Sequence, residues 1–144
     1  MLIQFLLLPA VALAGVVDPM AVSPPPALAW ALGLALMGAG ALLLGKGLLD
    51  LGSSLTPLPH PRDGAQLVDS GVYALVRHPI YGGLIVTSFG WALVSASPLT
   101  LGLSLVLLAF FSLKSRREEA WLQGRYEGYE AYVRRTKRFV PYLL

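Results

Sequence analysis

Cysteine is absent from the 144-residue sequence, and charged side chains are scarce. Without a thiol the sequence offers no disulfide, thiolate nucleophile, iron–sulfur cluster or cysteine zinc site, and two histidines are too few for a histidine-rich metal site. We therefore expect no metal. Charged residues make up 13% of the chain against about 25% in ordinary soluble domains, 56% are hydrophobic, and the mean hydropathy is +0.66. This composition predicts a membrane protein.

Apolar stretches divide the chain into candidate membrane spans. They run over Leu2–Val17, Ala27–Leu49, Ile80–Ser95 and Leu99–Leu113. The last two are shorter than the roughly 20 residues that cross a bilayer core, and the small residues and proline at 96–98 predict a tight reversal between them. This helical hairpin must therefore recruit flanking residues, thin the bilayer or stop short of spanning it. We predict an all-α polytopic membrane protein of about four transmembrane helices, in one domain over residues 1–144.

The basic residues predict the orientation. They occur only at Lys46, Arg62 and Arg77 and from Lys114 onward. With an even number of spans they all lie on one side, which the positive-inside bias makes the cytoplasm, so both termini are expected there. A net charge of +3 is compatible with nucleic-acid binding, but the basic residues flank apolar spans, which is the distribution of membrane proteins. We therefore expect no nucleic-acid partner. Cleavage of residues 1–14 as a signal peptide is an alternative, although the positively charged start of such peptides is lacking.

Glycines in the second stretch recur every seventh residue along two lines, Gly33–Gly40–Gly47 and Gly38–Gly45–Gly52. Such lines allow a neighbouring helix to approach closely. We favour helix packing over a seam for a lipid or cofactor.

Residues 50 to 79 are rich in proline and glycine, which predicts an ordered loop or surface-lying segment on the cytoplasmic face. His60, within it, is expected to be structural or solvent-facing. The basic run 134–138 is expected to attract anionic headgroups, so membrane lipids are expected partners.

Arg77 and His78 stand directly before Pro79. Proline suits the first turn of a helix and forces the preceding residue towards an extended conformation, so these two side chains are predicted to flank a helix N-terminus. Free N–H groups there, the helix dipole and Arg77 favour an anion such as a ligand carboxylate. For His78 we favour ligand contact over proton transfer.

The next residues extend this polar cluster. Tyr81 offers a ring and a hydroxyl, and Gly82 and Gly83 leave room for a ligand on the first turn. An equally compatible interpretation is that Arg77 extends to the interface, Tyr81 joins an aromatic belt and the glycines pack helices.

Residues 114–135 have helical periodicity and are predicted to form a C-terminal cytoplasmic amphipathic helix. One face carries Glu118, Leu122, Tyr126, Tyr129, Tyr132 and Val133. A carboxylate on such a face must pair with an arginine or receive a ligand's hydroxyl or ammonium. Glu119 borders the same face. The alternative is a surface network of arginines and glutamates.

These motifs resemble a known family of enzymes. Ordered along the chain are Gly71-x-Tyr73, Arg77-His78-Pro79-x-Tyr81-x-Gly83, Arg117-Glu118-Glu119-x-x-Leu122, Tyr129-x-x-Tyr132 and Pro141. The pattern resembles the isoprenylcysteine carboxyl methyltransferase family and recurs in related phospholipid N-methyltransferases. It covers about residues 50–144, the methyltransferase-like region, while residues 1–49 match only as two generic spans.

The resemblance implies a membrane-embedded methyltransferase that uses S-adenosylmethionine without a Rossmann domain, in a cytoplasm-facing pocket capped by the C-terminal segment. It implies cofactor contacts at Arg77, His78, Tyr81 and Gly83, with Glu118 and Glu119 on the ribose or amino group. Gly82, which leaves room on the same turn, is also expected to contact the cofactor. Arg77, Glu118 and Arg138 are the expected catalytic residues, since either arginine would pair with an anionic acceptor.

The expected acceptor is lipophilic and enters from the bilayer, as the carboxylate of a prenylated or similar lipid or as a phospholipid amine, with Tyr129 and Tyr132 as its contacts. The alternative function is a small non-enzymatic multi-pass membrane protein, such as a transporter subunit.

Overall fold

The protein, described here from a computed structural model over residues 2–22, 24–52 and 67–142, is helical. Its helices are α1 (Leu2–Val17), α2 (Ala27–Leu51), α3 (Pro79–Val94), α4 (Pro98–Gln123) and α5 (Tyr129–Arg135), with a 3₁₀ turn at Gly71–Ala74. Within the described ranges the one β-type pairing is an isolated parallel bridge between Val76 and Lys137. The all-α prediction is confirmed for these ranges. His60 and the proline-rich part of its loop lie outside them.

Two helices, α2 and α4, are long and apolar enough to cross a membrane, while α1 and α3 are shorter. Large apolar side chains point outward from them, for example Leu42 with 72% and Leu49 with 77% of its surface exposed. Soluble proteins rarely expose apolar surface on this scale, so the outward faces suit a lipid environment.

The predicted start of α3 is confirmed. Pro79 occupies the first turn, and His78 precedes it with φ −128°. At the start of α4, Ser97 acts as the N-cap and its hydroxyl accepts a hydrogen bond from Thr100 N at 3.0 Å. On the same side, Asp18 Oδ2 accepts from Ser97 Oγ at 2.6 Å and from Leu99 N at 3.0 Å, which ties the end of α1 to the α3–α4 turn.

The prediction of one helix over residues 114–135 is wrong. The helix α4 begins at Pro98, continues through the fourth apolar stretch and ends at Gln123. Gly128 then adopts the left-handed conformation with φ +82°, and α5 begins at Tyr129. Glycine takes up this conformation without the steric penalty of a Cβ atom, so Gly128 sets α5 apart from the turn that follows α4.

Glycines bring α2 and α3 together in an antiparallel pair. A Cβ atom on Gly33 would lie 2.7 Å from Gly90 O, and one on Gly83 would lie 2.6 Å from Gly40 O. The predicted helix packing along Gly33–Gly40–Gly47 is thus confirmed. The second line, Gly38–Gly45–Gly52, has no described atom within 4 Å of the positions that Cβ atoms would take.

The apolar core lies between α3 and α4 and is formed by Ile85, Leu107 and Phe111 together with Phe139. Leu7 and Leu8 of α1 are among the residues that pack against it. Because α3 leads into α4 through the turn 95–97, the beginning of α3 and the last turns of α4 meet at one end of the molecule. The polar site lies at this end.

Candidate functional site

Glu119 is the centre of the polar site, with a side chain only 8% exposed. Its Oε1 accepts from Arg77 Nε at 2.9 Å and from Arg138 Nε at 3.2 Å, while Oε2 accepts from Arg138 Nη2 at 2.8 Å. His78 Nε2 lies 3.2 Å from Oε1. Because an ionised carboxylate only accepts hydrogen bonds, His78 Nε2 carries a proton in this arrangement. Three donor residues from two segments, Arg77 and His78 at the start of α3 and Arg138 near the end of the described chain, thus offset the desolvation of one charge.

Arg77 also joins α3 to the last part of the described chain. Its Nη1 donates to Val133 O at 3.0 Å and to Thr136 O at 2.6 Å. Residues 136–139, which we call the clamp segment, run alongside residues 75–78. In this pairing Arg77 N donates to Lys137 O at 2.8 Å, and His78 N donates to Arg138 O at 2.9 Å. The predicted anion site at this helix start is therefore filled by protein carbonyls and by Glu119.

Glu118, the neighbouring carboxylate, has different surroundings. Its Oε1 accepts from Tyr81 OH at 2.8 Å and lies 3.9 Å from Lys114 Nζ. Its Oε2 lies 3.7 Å from His78 Nδ1, which is beyond hydrogen-bond distance. Glu118 is thus the carboxylate that has room for a ligand donor, whereas Glu119 is held by protein donors.

Aromatic rings form one wall of the site. The Tyr81 ring is stacked between His78, at 5.5 Å between centroids, and Phe111, at 4.5 Å. Lys114 Nζ lies 4.8 Å from the centre of the same ring, a cation–π contact. This stacking fixes the direction of the Tyr81 hydroxyl towards Glu118.

The two glycines of the first turn contact protein. A Cβ atom on Gly82 would collide with Phe139 O of the clamp segment, and one on Gly83 would meet Gly40 O and the backbone of Leu44 in α2. The interpretation that these glycines pack helices is confirmed for Gly83, whereas Gly82 packs mainly against the main chain of the clamp segment. The space expected for a ligand next to their Cα atoms is filled by the backbone of other segments. Their contact with the cofactor stays a prediction, and it would be made by their main-chain atoms.

Tyr129 and Tyr132 are buried, with 2% and 3% of their surfaces exposed. Tyr132 OH donates to Tyr73 O at 2.7 Å, and Tyr73 OH donates to Gly47 O at 3.3 Å. Burial raises the pKa of Tyr132 to about 12 and also raises the pKa of Tyr73 and of Tyr129, so these phenols stay protonated at neutral pH. They link α5 through the 3₁₀ turn to α2, and their substrate contact stays a prediction.

Sequence reasoning missed three residues that build the site. Lys114 is one, although its position one turn before Glu118 was a usable signal. Asp50 is another: its Oδ2 accepts from Val72 N at 2.7 Å and orders the 3₁₀ turn. Thr136 is the third, and no local pattern distinguishes it. In the described ranges no group of three or more histidine or acidic side chains is arranged to hold a metal ion.

This arrangement lies on a stretch of chain that matches a known family. The family model of the phospholipid methyltransferases matches residues 28–128, which include α2, α3, α4 and both glutamates. The chain belongs to the phospholipid methyltransferase family. The resemblance found in the sequence motifs is thereby confirmed.

Relatives of this phospholipid methyltransferase family member include isoprenylcysteine methyltransferases. The chain is similar to a probable protein-S-isoprenylcysteine O-methyltransferase of Oryza sativa subsp. indica, with 34% identity over 86 residues that cover 58% of this chain and 45% of the relative. It is also similar to the protein-S-isoprenylcysteine O-methyltransferase of Schizosaccharomyces pombe, with 38% identity over 77 residues that cover 52% of this chain and 33% of the relative.

Among solved structures, the family member resembles the eukaryotic intramembrane Ras methyltransferase ICMT (isoprenylcysteine carboxyl methyltransferase). The TM-score is 0.69 at 27% identity, and the match covers 77% of this chain and 41% of that chain. The chain thus spans less than half the length of the relatives it matches. The fold is shared over most of this chain.

Proposed function

We propose that this protein is an integral membrane methyltransferase that transfers a methyl group from S-adenosylmethionine to a lipophilic acceptor. The observation that carries the proposal is the meeting of Glu118 and Glu119 on α4 with Arg77, His78 and Tyr81 at the start of α3. Membership of the phospholipid methyltransferase family and the names of the relatives support the reaction class.

For the membrane arrangement we propose four spans, α1 to α4, with both termini and the site on the cytoplasmic side. Lys46, Arg77 and Lys114, as well as the basic residues that follow, cluster at the site end of the helices, while Asp18 lies at the opposite end near Ser97. This distribution agrees with the positive-inside bias.

The carboxylate acceptors of the site fit S-adenosylmethionine, which carries donor hydroxyls on its ribose and a donor ammonium. Glu118 is the proposed partner for one of these donors, because its Oε2 is out of hydrogen-bond reach of His78. His78 and Tyr81 provide stacked rings beside it, Gly82 and Gly83 provide main chain, and Glu119 is the proposed second carboxylate. Bound S-adenosylmethionine would supply an already activated methyl group.

The residues of this chain then bind the cofactor, orient it towards the acceptor and exclude water from the site. Tyr81 OH holds Glu118, and the bonds between Glu119 and Arg138 hold the clamp segment beside the start of α3. Alignment of the reacting groups is worth up to about 7–11 kcal/mol in favourable cases. Such a site needs little further chemistry from the protein.

The proposed acceptor is the carboxylate of a prenylated or similar lipid, or a phospholipid amine. Arg138, with 28% of its side chain exposed, is the proposed partner of an anionic acceptor rather than Arg77, which Glu119 and two carbonyls hold. Tyr129 and Tyr132 are proposed to contact the lipophilic part of the acceptor. Incubation with labelled cofactor and either a prenylcysteine lipid or a phospholipid amine, followed by lipid analysis, tests which of the two acquires the label.

Binding of the cofactor is the first test. Calorimetry on the purified full chain, in detergent and in lipid, is expected to detect S-adenosylmethionine binding that Glu118→Gln weakens at least about tenfold, or about 1.4 kcal/mol. Glu130→Gln is the matched control, because its exposed side chain pairs with Arg134 on the surface. Absence of binding by the unmutated chain in both media would contradict the enzyme proposal and favour a non-enzymatic membrane protein.

A further inference from the structure

The helix α1 lies outside the family-matched residues 28–128, yet it reaches the site. Gln4 is the one polar residue in the sequence LIQFLLLPAVALAGVV of α1. Its Oε1 accepts a hydrogen bond from Lys114 Nζ at 2.6 Å. A single amide in an otherwise apolar helix, aimed at a single ammonium of α4, is a specific interhelical contact.

The position of the Lys114 ammonium matters because of Glu118. Nζ lies 3.9 Å from Glu118 Oε1, too far for a hydrogen bond, although the two side chains are only 18% and 15% exposed. Oppositely charged groups in such surroundings attract each other strongly, and a direct pair closes to about 2.7–2.9 Å. The hydrogen bond to Gln4 and the cation–π contact with the Tyr81 ring hold the Lys114 ammonium at this distance from Glu118.

We propose that Gln4 is a positioning residue of the site: it keeps the Lys114–Glu118 ion pair at 3.9 Å from closing to a direct hydrogen bond and so leaves this carboxylate to a ligand donor. The inference rests on the proposed function, in which Glu118 binds a hydroxyl or ammonium of the cofactor. It makes α1 a part of the binding site.

Substitution of Gln4 by leucine suits the apolar helix and removes the acceptor. Lys114 is then expected to move onto Glu118, and the Kd and KM for S-adenosylmethionine rise about tenfold while kcat at saturating cofactor stays within about twofold. In Gln4→Leu/Lys114→Met the competing ammonium is gone, and the Kd returns to within about threefold of the unmutated value. If Gln4→Leu weakened binding only by disturbing the packing of α1, the added Lys114→Met substitution would not restore it.

Two further variants complete the experiment. Gln4→Glu keeps an acceptor for Lys114, so its Kd for the cofactor is expected to stay below that of Gln4→Leu. Trp91→Phe is the matched control for attachment of α1, because it removes the hydrogen bond from Trp91 Nε1 to Ala12 O far from the site. It is expected to lower the melting temperature without changing the Kd.

An unchanged Kd in Gln4→Leu, a double variant as weak as Gln4→Leu, or an equal loss in Trp91→Phe would overturn the inference while the proposed function stands. If the unmutated chain itself binds no S-adenosylmethionine, the proposed function fails and this inference fails with it.

Discussion

Arg138 binds both oxygens of Glu119, with Nη2 2.8 Å from Oε2 and Nε 3.2 Å from Oε1. This two-point ion pair complements the backbone pairing of the clamp segment with residues 75–78. A planar guanidinium facing a carboxylate with two donors fixes direction as well as distance. The C-terminal part of the described chain is thereby held against the start of α3 by both main chain and side chain.

Replacing Arg138 by methionine is expected to lower the free energy of unfolding by about 1–3 kcal/mol, the usual value of hydrogen bonds to charged groups. Backbone amides at Arg77 and His78 should also exchange faster with solvent, because the clamp segment then opens more often. Thermal unfolding and hydrogen exchange measure the two effects. Lys137→Met is the control, since Lys137 joins the pairing through its main chain; an equal effect in that variant would contradict the role assigned to Arg138.

Gly82→Ala is expected to destabilise the protein by about 1–3 kcal/mol, because its Cβ atom would collide with Phe139 O and push the clamp segment away. Gly45→Ala is the matched control on a helix. No described atom lies within 4 Å of its added Cβ, so we expect unchanged stability or a gain of up to about 1 kcal/mol from the better helix propensity of alanine. Chemical unfolding in detergent compares the two, and equal stabilities would refute the packing at Gly82.

Tyr132→Phe removes the hydroxyl that donates to Tyr73 O at a buried position. Leaving this carbonyl without a partner is expected to cost about 1–3 kcal/mol, seen as a lower melting temperature. Tyr142→Phe, at an 84% exposed position, serves as the control. If Tyr132→Phe instead raises the KM for the acceptor and leaves the melting temperature unchanged, Tyr132 contacts substrate and its hydroxyl is not structural.

Acid is expected to loosen the end of the molecule opposite the site. The hydrogen bond from Ser97, together with those from the backbone N–H groups of Met20 and Leu99, lowers the pKa of Asp18. A lowered folded-state pKa means that the stabilisation is present above the unfolded-state pKa of about 4 and is lost as the pH falls through the folded-state value. Melting temperatures of the unmutated chain and of Asp18→Asn should therefore converge below about pH 4; a constant difference down to pH 2 would contradict this assignment.

Sequence patterns predicted those parts of the structure that depend on local signals. The bounds of α1 follow the apolar run, α3 starts at Pro79 as proline chemistry requires, and the heptad spacing of Gly33, Gly40 and Gly47 predicted a close helix contact. The pairing of the segment around Arg77 with Glu118 and Glu119 also followed, because both motifs border the same apolar hairpin.

The remainder depends on long-range contacts that no local pattern encodes. Periodicity predicted one helix over residues 114–135, whereas α4 ends at Gln123 and α5 begins only after Gly128, whose backbone is left-handed. Helical periodicity predicted Glu118 as the central carboxylate, whereas Glu119 receives the hydrogen bonds from Arg77 and Arg138. Arg138 of the clamp segment is 19 positions from Glu119, and Thr136 O, which holds Arg77, is 59 positions from Arg77. The contact between Lys114 and Gln4 could not be predicted because the two residues are 110 positions apart in sequence.

The acceptors of the Arg77 guanidinium impose an order on biosynthesis. Val133 and Thr136 are 56 and 59 positions beyond Arg77. At about 5–20 residues per second the ribosome adds Thr136 roughly 3–12 s after Arg77. Through that interval the guanidinium has only water and residues made earlier around it, so the site acquires its final wall only after the α3 sequence is complete. Synthesis of the start of α3 and completion of the site are thus separate events in the life of the nascent chain.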